Sequence, residues 1–170
     1  MSNKATPQWI PFSEVAQPFK SKLQACYPVA PQSFSVPAQF QLSTYDAGVL
    51  WVSGQVPRFN QEIRYTGIVG KQLTLEQARD AAHLCMANFL SIVAAACDGD
   101  LGRVAQVIRI TGYVRAASDF TAHPQVIDAA SEVLTAVFGE RGQHSRSALG
   151  VHSLPGGAAV EIEGVVRLRA

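Results

Sequence analysis

Residues 145–169 read SRSALGVHSLPGGAAVEIEGVVRLR. The run Pro155-Gly156-Gly157 interrupts any strand, because proline lacks the ladder donor and glycine favours tight turns. It divides the stretch into one strand at 145–154 and another at 159–169. Side chains alternate along a strand, so Val160, Ile162, Val166 and Leu168 share one face and Glu161 and Glu163 share the other. The expectation is a closing hairpin. It would place Arg146 and both acids on or near the sheet face that faces away from the helices.

Two helices precede this segment. Over 74–98, Leu75, Ala78, Ala82, Cys85, Phe89, Ile92 and Ala96 recur at steps of three and four, which makes one apolar stripe. Thr74 and Gln77 have capping-box spacing, and Gly99 stands where a left-handed cap needs no Cβ. A second helix is predicted from Pro124, a suitable first helical residue, to Phe138, with Gly139 ending it. Between the helices, 103–115 has period two, with Ile108, Ile110 and Val114 on one side and Val107, Arg109, Thr111 and Tyr113 on the other. Upstream, strands are predicted from Gln39 (Phe40, Leu42 and Thr44 on one face) and at 49–53, joined by the turn Asp46-Ala47-Gly48. A long loop at 55–72 has room for a minor strand at 62–66.

Residues 1–37 are proline-rich and read as an N-terminal extension. A short helix is expected at 13–25, with Phe12, Val15, Phe19 and Leu23 as its buried stripe. Residues 38–170 form the domain. The order β-β-α-β-α-β-β gives an α+β fold, a single mixed sheet of four to six strands with two helices on one face. Val107, Tyr113 and Val165 are expected on the other face, so self-association would cover an otherwise exposed apolar surface.

Composition excludes several classes. Net charge is +1, and charged residues are 16% of 170. Neither nucleic acid nor an anionic membrane finds a basic track here. No apolar run approaches the ~18 residues of a membrane span. No basic and apolar leader opens the chain, and three widely spaced cysteines suit a reducing cytoplasm. His83, His123, His144 and His152 lack metal-ligand spacing, so no metal or other cofactor is expected. His144 lies an even two residues from Arg146, near the same end of its strand.

Arginine presents a planar, permanently charged fork that matches a carboxylate, and glutamate can position or deprotonate water. An Arg–Glu pair fixing an interface is the purely structural alternative. Ser145-Arg146-Ser147-Ala148-Leu149 through Leu154-Pro155, followed by Val160-Glu161-Ile162-Glu163-Gly164, resembles the C-terminal signature of the RidA (YjgF) family. Ser53-Gly54-Gln55-Val56-Pro57 is similar to another element of that family. The resemblance spans about residues 39–169.

The resemblance implies a chorismate-mutase-like fold and a homotrimer with clefts between subunits. It also implies hydrolysis of reactive imines and enamines to 2-keto acids and ammonia. Arg146 takes the place of the family arginine that binds the substrate carboxylate. Glu161 takes that of the glutamate that orients water, and Gly54 that of a glycine contacting ligand. Phe40, Ser53, Ser131, Ser147 and Ala148 fall on other substrate-binding positions. Phe40 stands where the family carries an aromatic hydroxyl, Ala148 where it carries a small polar residue or cysteine, and Ser131 where it carries asparagine. These departures leave a non-catalytic carboxylate-binding regulator as the alternative, with an endoribonuclease behind it.

Overall fold

The computed structural model describes residues 8–32 and 39–169. Pro18 ends the first turn of the extension, and helix α1 (Phe19–Cys26) begins only after it. A proline inside the helix expected at 13–25 would have removed a hydrogen bond, so the chain enters the helix at the next residue. The stripe holds nonetheless: Phe12, Val15, Phe19 and Leu23 are all buried.

Strands β1 (Ser43–Asp46) and β2 (Val49–Gln55) form the expected hairpin. Ala47 and Gly48 both take positive φ in its turn. Residues 39–42 lie outside the strand, contrary to expectation. There the Leu42 carbonyl still accepts from the Ser53 amide at 2.9 Å, but the Leu42 amide donates to the Gln8 side chain and the Gln41 carbonyl accepts from Ser53 Oγ, at 2.8 Å each, so the ladder goes no further. β3 (Arg58–Phe59) and β4 (Glu62–Ile63) make a separate two-stranded ribbon within the long loop.

Helix α2 (Leu75–Ala96) carries the predicted capping box. The Gln77 amide donates to Thr74 Oγ1 at 3.2 Å, and the Thr74 amide to Gln77 Oε1 at 2.9 Å. Thr74→Ala is expected to lower stability by about 1 kcal/mol, measured as a lower urea midpoint at unchanged slope. From Cys85 to Ala95 the helix is buried all round, not along one stripe. The extension explains this: the Ile10 amide reaches the Ser91 carbonyl at 3.4 Å, and the Tyr27 hydroxyl donates to the His83 carbonyl at 2.8 Å. The Cys85 thiol lies on the sheet side and donates to the Val160 carbonyl at 3.6 Å.

β5 (Val104–Arg115), α3 (His123–Phe138), β6 (Ser145–Val151) and β7 (Val160–Leu168) complete the chain. The five-stranded sheet has the order β1-β2-β7-β5-β6, with β5 and β6 parallel and the other neighbours antiparallel. It is a mixed sheet with α2 and α3 on one face, and α1 packs on α3 through Phe19 and Phe138, ring centroids 5.8 Å apart.

Two expectations fail here. β6 and β7 are not a hairpin, because β5 lies between them; the Pro-Gly-Gly turn opens a crossover. The ladder also shifts between Val107 and Arg109. This bulge turns Val107 into the core, 1% exposed, beside Ile110, and moves Ile108 out of it. Beyond the bulge the predicted alternation holds, with Arg109 and Tyr113 away from the helices.

Candidate functional site

Arg146 sits on the edge strand β6, opposite Ile110 of β5. Ile110 faces the helices, so Arg146 does too, toward α3. Ile127, Ala130, Val133 and Leu134 point α3 into the core. Asp128 and Ser131, three residues apart and therefore neighbours on its surface, flank β6. Arg146 Nη1 donates to Asp128 Oδ1 at 2.8 Å and to Ser131 Oγ at 3.0 Å. Among the described residues these are its only two side-chain hydrogen bonds, so the Nε–Nη2 edge of the fork is not spent on the protein. The side chains of Arg146 and Asp128 are 24% and 46% exposed, and such a pair contributes at most ~1 kcal/mol.

His144 fixes the third member. Its Nδ1 lies 2.6 Å from the Gly142 carbonyl, which can only accept, so Nδ1 carries the proton. Burial lowers its pKa, with the nearby Arg146 acting the same way against the Gly142 hydrogen bond. Nε2 of the neutral ring is then the acceptor, and Ser131 Oγ donates to it across 3.1 Å. The serine proton is thus committed to His144, while its oxygen accepts from Arg146.

Glu161 lies on the opposite face. Its carboxylate rests against the backbone of Gly54, where a Cβ would stand 2.0 Å from Oε1. Any side chain at 54 would displace the carboxylate. Burial raises its pKa above the ordinary 4.5, and Glu163 adds to the shift. Glu163 accepts a hydrogen bond from the Tyr113 hydroxyl at 2.8 Å, which pushes the phenol's pKa up. Beside this group, Thr44, Trp51, Ser53, Arg109, Thr111 and Glu163 line an open concavity of about 430 Å³.

A carboxyl pKa raised by folding means that the native state holds a proton the unfolded chain releases. Stability attributable to Glu161 therefore falls as pH rises from 4.5 through the raised value. Glu161→Gln is expected to match or exceed the parent in stability at pH 7. The difference should vanish below the unfolded pKa, as read by urea unfolding at several pH values.

The structure brings Ser131 to Arg146 and Gly54 to Glu161, but it does not bring the two groups together within one chain. Arg146 is level with Gly164 on β7, two strands away, and Glu161 is three residues further along. That is about 10 Å across the sheet and about 10 Å along it, on opposite faces. The expected shared face for Arg146 and the acids followed from the hairpin, and it falls with it. Ser147 faces the open side, where its Oγ accepts from Arg109 at 2.7 Å. Ser53 is on the concavity's wall, Phe40 is 55% exposed, and Ala148 packs against the core beneath Arg146. The sequence does not point to Asp128, and it points to Tyr113 only as part of the second sheet face. The i, i+3 spacing puts Asp128 and Ser131 on one face of α3, but Gln125, Glu132 and Thr135 on the same helix keep that spacing from standing out in the sequence. Among the described residues no group of three or more His, Cys, Asp or Glu side chains is arranged to hold a metal ion. No helix there is long and apolar enough to cross a membrane.

Comparison with known proteins agrees with the fold. A family model described as "YjgF/chorismate_mutase-like" matches residues 31–160. The protein TCP17 of Trypanosoma cruzi is 38% identical over 136 residues, 79% of this chain and 84% of that protein. The crystal structure of Atu1372 from Agrobacterium tumefaciens, a protein of unknown function, superposes with a TM-score of 0.82 at 35% identity, covering 93% of this chain and 96% of that one. RidA from the Antarctic bacterium Psychrobacter shares the fold at 23% identity, TM-score 0.52, over 82% and 94% of the two chains. With its family model spanning most of the domain, its mixed five-stranded sheet and its helix-covered face, the chain belongs to the YjgF (RidA) family.

Proposed function

We propose that this chain hydrolyses reactive 2-imino and enamine acids to 2-keto acids and ammonia, in clefts where two subunits meet. The observation that carries the reading is the Arg146 fork: held through Nη1 alone, at a sheet edge, with its other edge unspent. A carboxylate fits that edge in bidentate fashion. Glu161 is the second component, a half-buried carboxylate whose raised pKa makes it a stronger base once ionised. The two lie on opposite faces of one subunit, so a single substrate meets both only if a neighbouring copy supplies one. In this reading a homotrimer joins the Arg146 half of one subunit to the Gly54–Glu161 half of the next.

The chemistry asks little of the protein. C2 of a protonated imine is already electrophilic. Glu161 takes a proton from water as the water oxygen bonds to C2 and the C=N π electrons move onto nitrogen. It returns that proton to the nitrogen, and the carbinolamine collapses, its hydroxyl losing a proton to Glu161 as C=O forms and the C–N electrons leave with ammonia. Orientation and an activated water are the main contributions. An amino-acid oxidase generating imino acids, with semicarbazide trapping what survives, tests this. The protein should lower the semicarbazone yield for at least one of several imino acids.

A second reading, carboxylate binding without turnover, is favoured by one observation. Ser53 already spends its hydroxyl proton on the Gln41 carbonyl, Ser147 Oγ is held on the other face by Arg109, and Phe40 has no hydroxyl to offer. Equal trapping with and without protein would leave only that reading.

A further inference from the structure

We propose that Asp128 makes the Arg146 half-site selective for zwitterions, a protonated 2-imino acid or an α-amino acid, over the anionic 2-keto acid. This rests on the reading that Arg146 receives the ligand carboxylate. The guanidinium and the Asp128 carboxylate are 2.8 Å apart and sum to zero charge. A ligand of net charge zero keeps that balance, with its carboxylate on the Nε–Nη2 edge and its nitrogen toward Asp128. Asp128 is half-exposed and spends only Oδ1 on Arg146; Oδ2 takes no hydrogen bond among the described residues. A protonated nitrogen next to the ligand carboxylate can donate to it. A keto oxygen in the same place is an acceptor facing an acceptor.

Ser131 cannot relieve that clash. It lies within 3.0 Å of Arg146 Nη1, but its proton already goes to His144 Nε2. The Arg146 donors on the outer edge are taken by the carboxylate itself. The half-site therefore offers a donor to the ligand's acid group and an acceptor to the atom two bonds away. In the proposed reaction this matters at the last step. Substrate enters as a zwitterion and product forms as an anion opposite Asp128, so the residue speeds release of the keto acid.

The test is calorimetric binding of matched pairs, L-alanine with pyruvate and L-leucine with its 2-keto acid, to the full chain and to Asp128→Asn and Arg146→Ala. Thermal melts confirm that each variant is folded. The parent should bind each amino acid about tenfold more tightly than its keto acid, the scale of one charge-assisted hydrogen bond. Asp128→Asn, whose amide can donate to a keto oxygen, should erase or reverse that ratio. Equal affinities in the parent, or an unchanged ratio in Asp128→Asn, overturn the role of Asp128 while leaving Arg146 as the carboxylate site. Binding that survives unchanged in Arg146→Ala overturns the site itself, and the selectivity argument with it.

Discussion

Arg146→Ala is expected to cut kcat/KM for imino acids by about 100-fold or more while leaving the fold intact. The magnitude follows from the contact removed: two charge-assisted hydrogen bonds to the carboxylate in the proposed site contribute about 3 kcal/mol together. The loss should fall on kcat/KM, because the ligand's acid group keeps its charge throughout the reaction. Stability should change by less than ~1 kcal/mol, since the pair with Asp128 is partly exposed. Coupled trapping kinetics and a thermal melt on the same preparation separate the two. A variant that keeps most of its activity would show that the guanidinium has no part in the chemistry.

Mixing Arg146→Ala with Glu161→Gln should restore activity that neither variant has alone. The two residues lie on opposite faces of one sheet with β5 between them. If each cleft draws Arg146 from one subunit and Glu161 from the next, a random mixed trimer rebuilds both in about a quarter of its clefts. Co-refolding equal amounts of the two proteins should therefore recover about a quarter of the parent rate. Mixed oligomers as inactive as their parents would rule out a divided site, and a stable monomer by light scattering would do so sooner. In the parent the rate should rise with pH through the raised Glu161 pKa, because the ionised form is the base; Glu161→Gln should lack that limb.

Local chemistry made most of the fold legible. The capping box at Thr74, the glycine stop after α3 and the β1–β2 turn are set by residues within a few positions of each other, and the sequence places each correctly. α2 instead ends at Ala96, and Asp98 takes the first left-handed position ahead of Gly99. Strand order was not legible, because alternation tells which residues share a face and says nothing about which strand lies beside which. The run after Leu154 looks like a hairpin turn, yet β7 inserts between β2 and β5 and β6 pairs in parallel at the edge. A bulge is equally silent in sequence, so period two alone puts Val107 on the wrong face. The candidate site inherited both limits. Motif spacing named Arg146, Gly54 and Glu161, but their division between two faces depends on the strand between them. Asp128 became visible only when α3 was set against β6.

Sulfur is the element missing from this arrangement. Alanine occupies position 148 beneath Arg146, and the Cys85 and Cys97 thiols are sunk in the core. Burial pushes the Cys85 thiol well up and Cys97 up to about 11. Only the thiolate reacts readily with peroxide or electrophiles. In the proposed reading the Arg146 and Glu161 halves supply guanidinium, hydroxyl and carboxylate groups, and the thiol open to peroxide or alkylating agents is the half-buried Cys26 of α1.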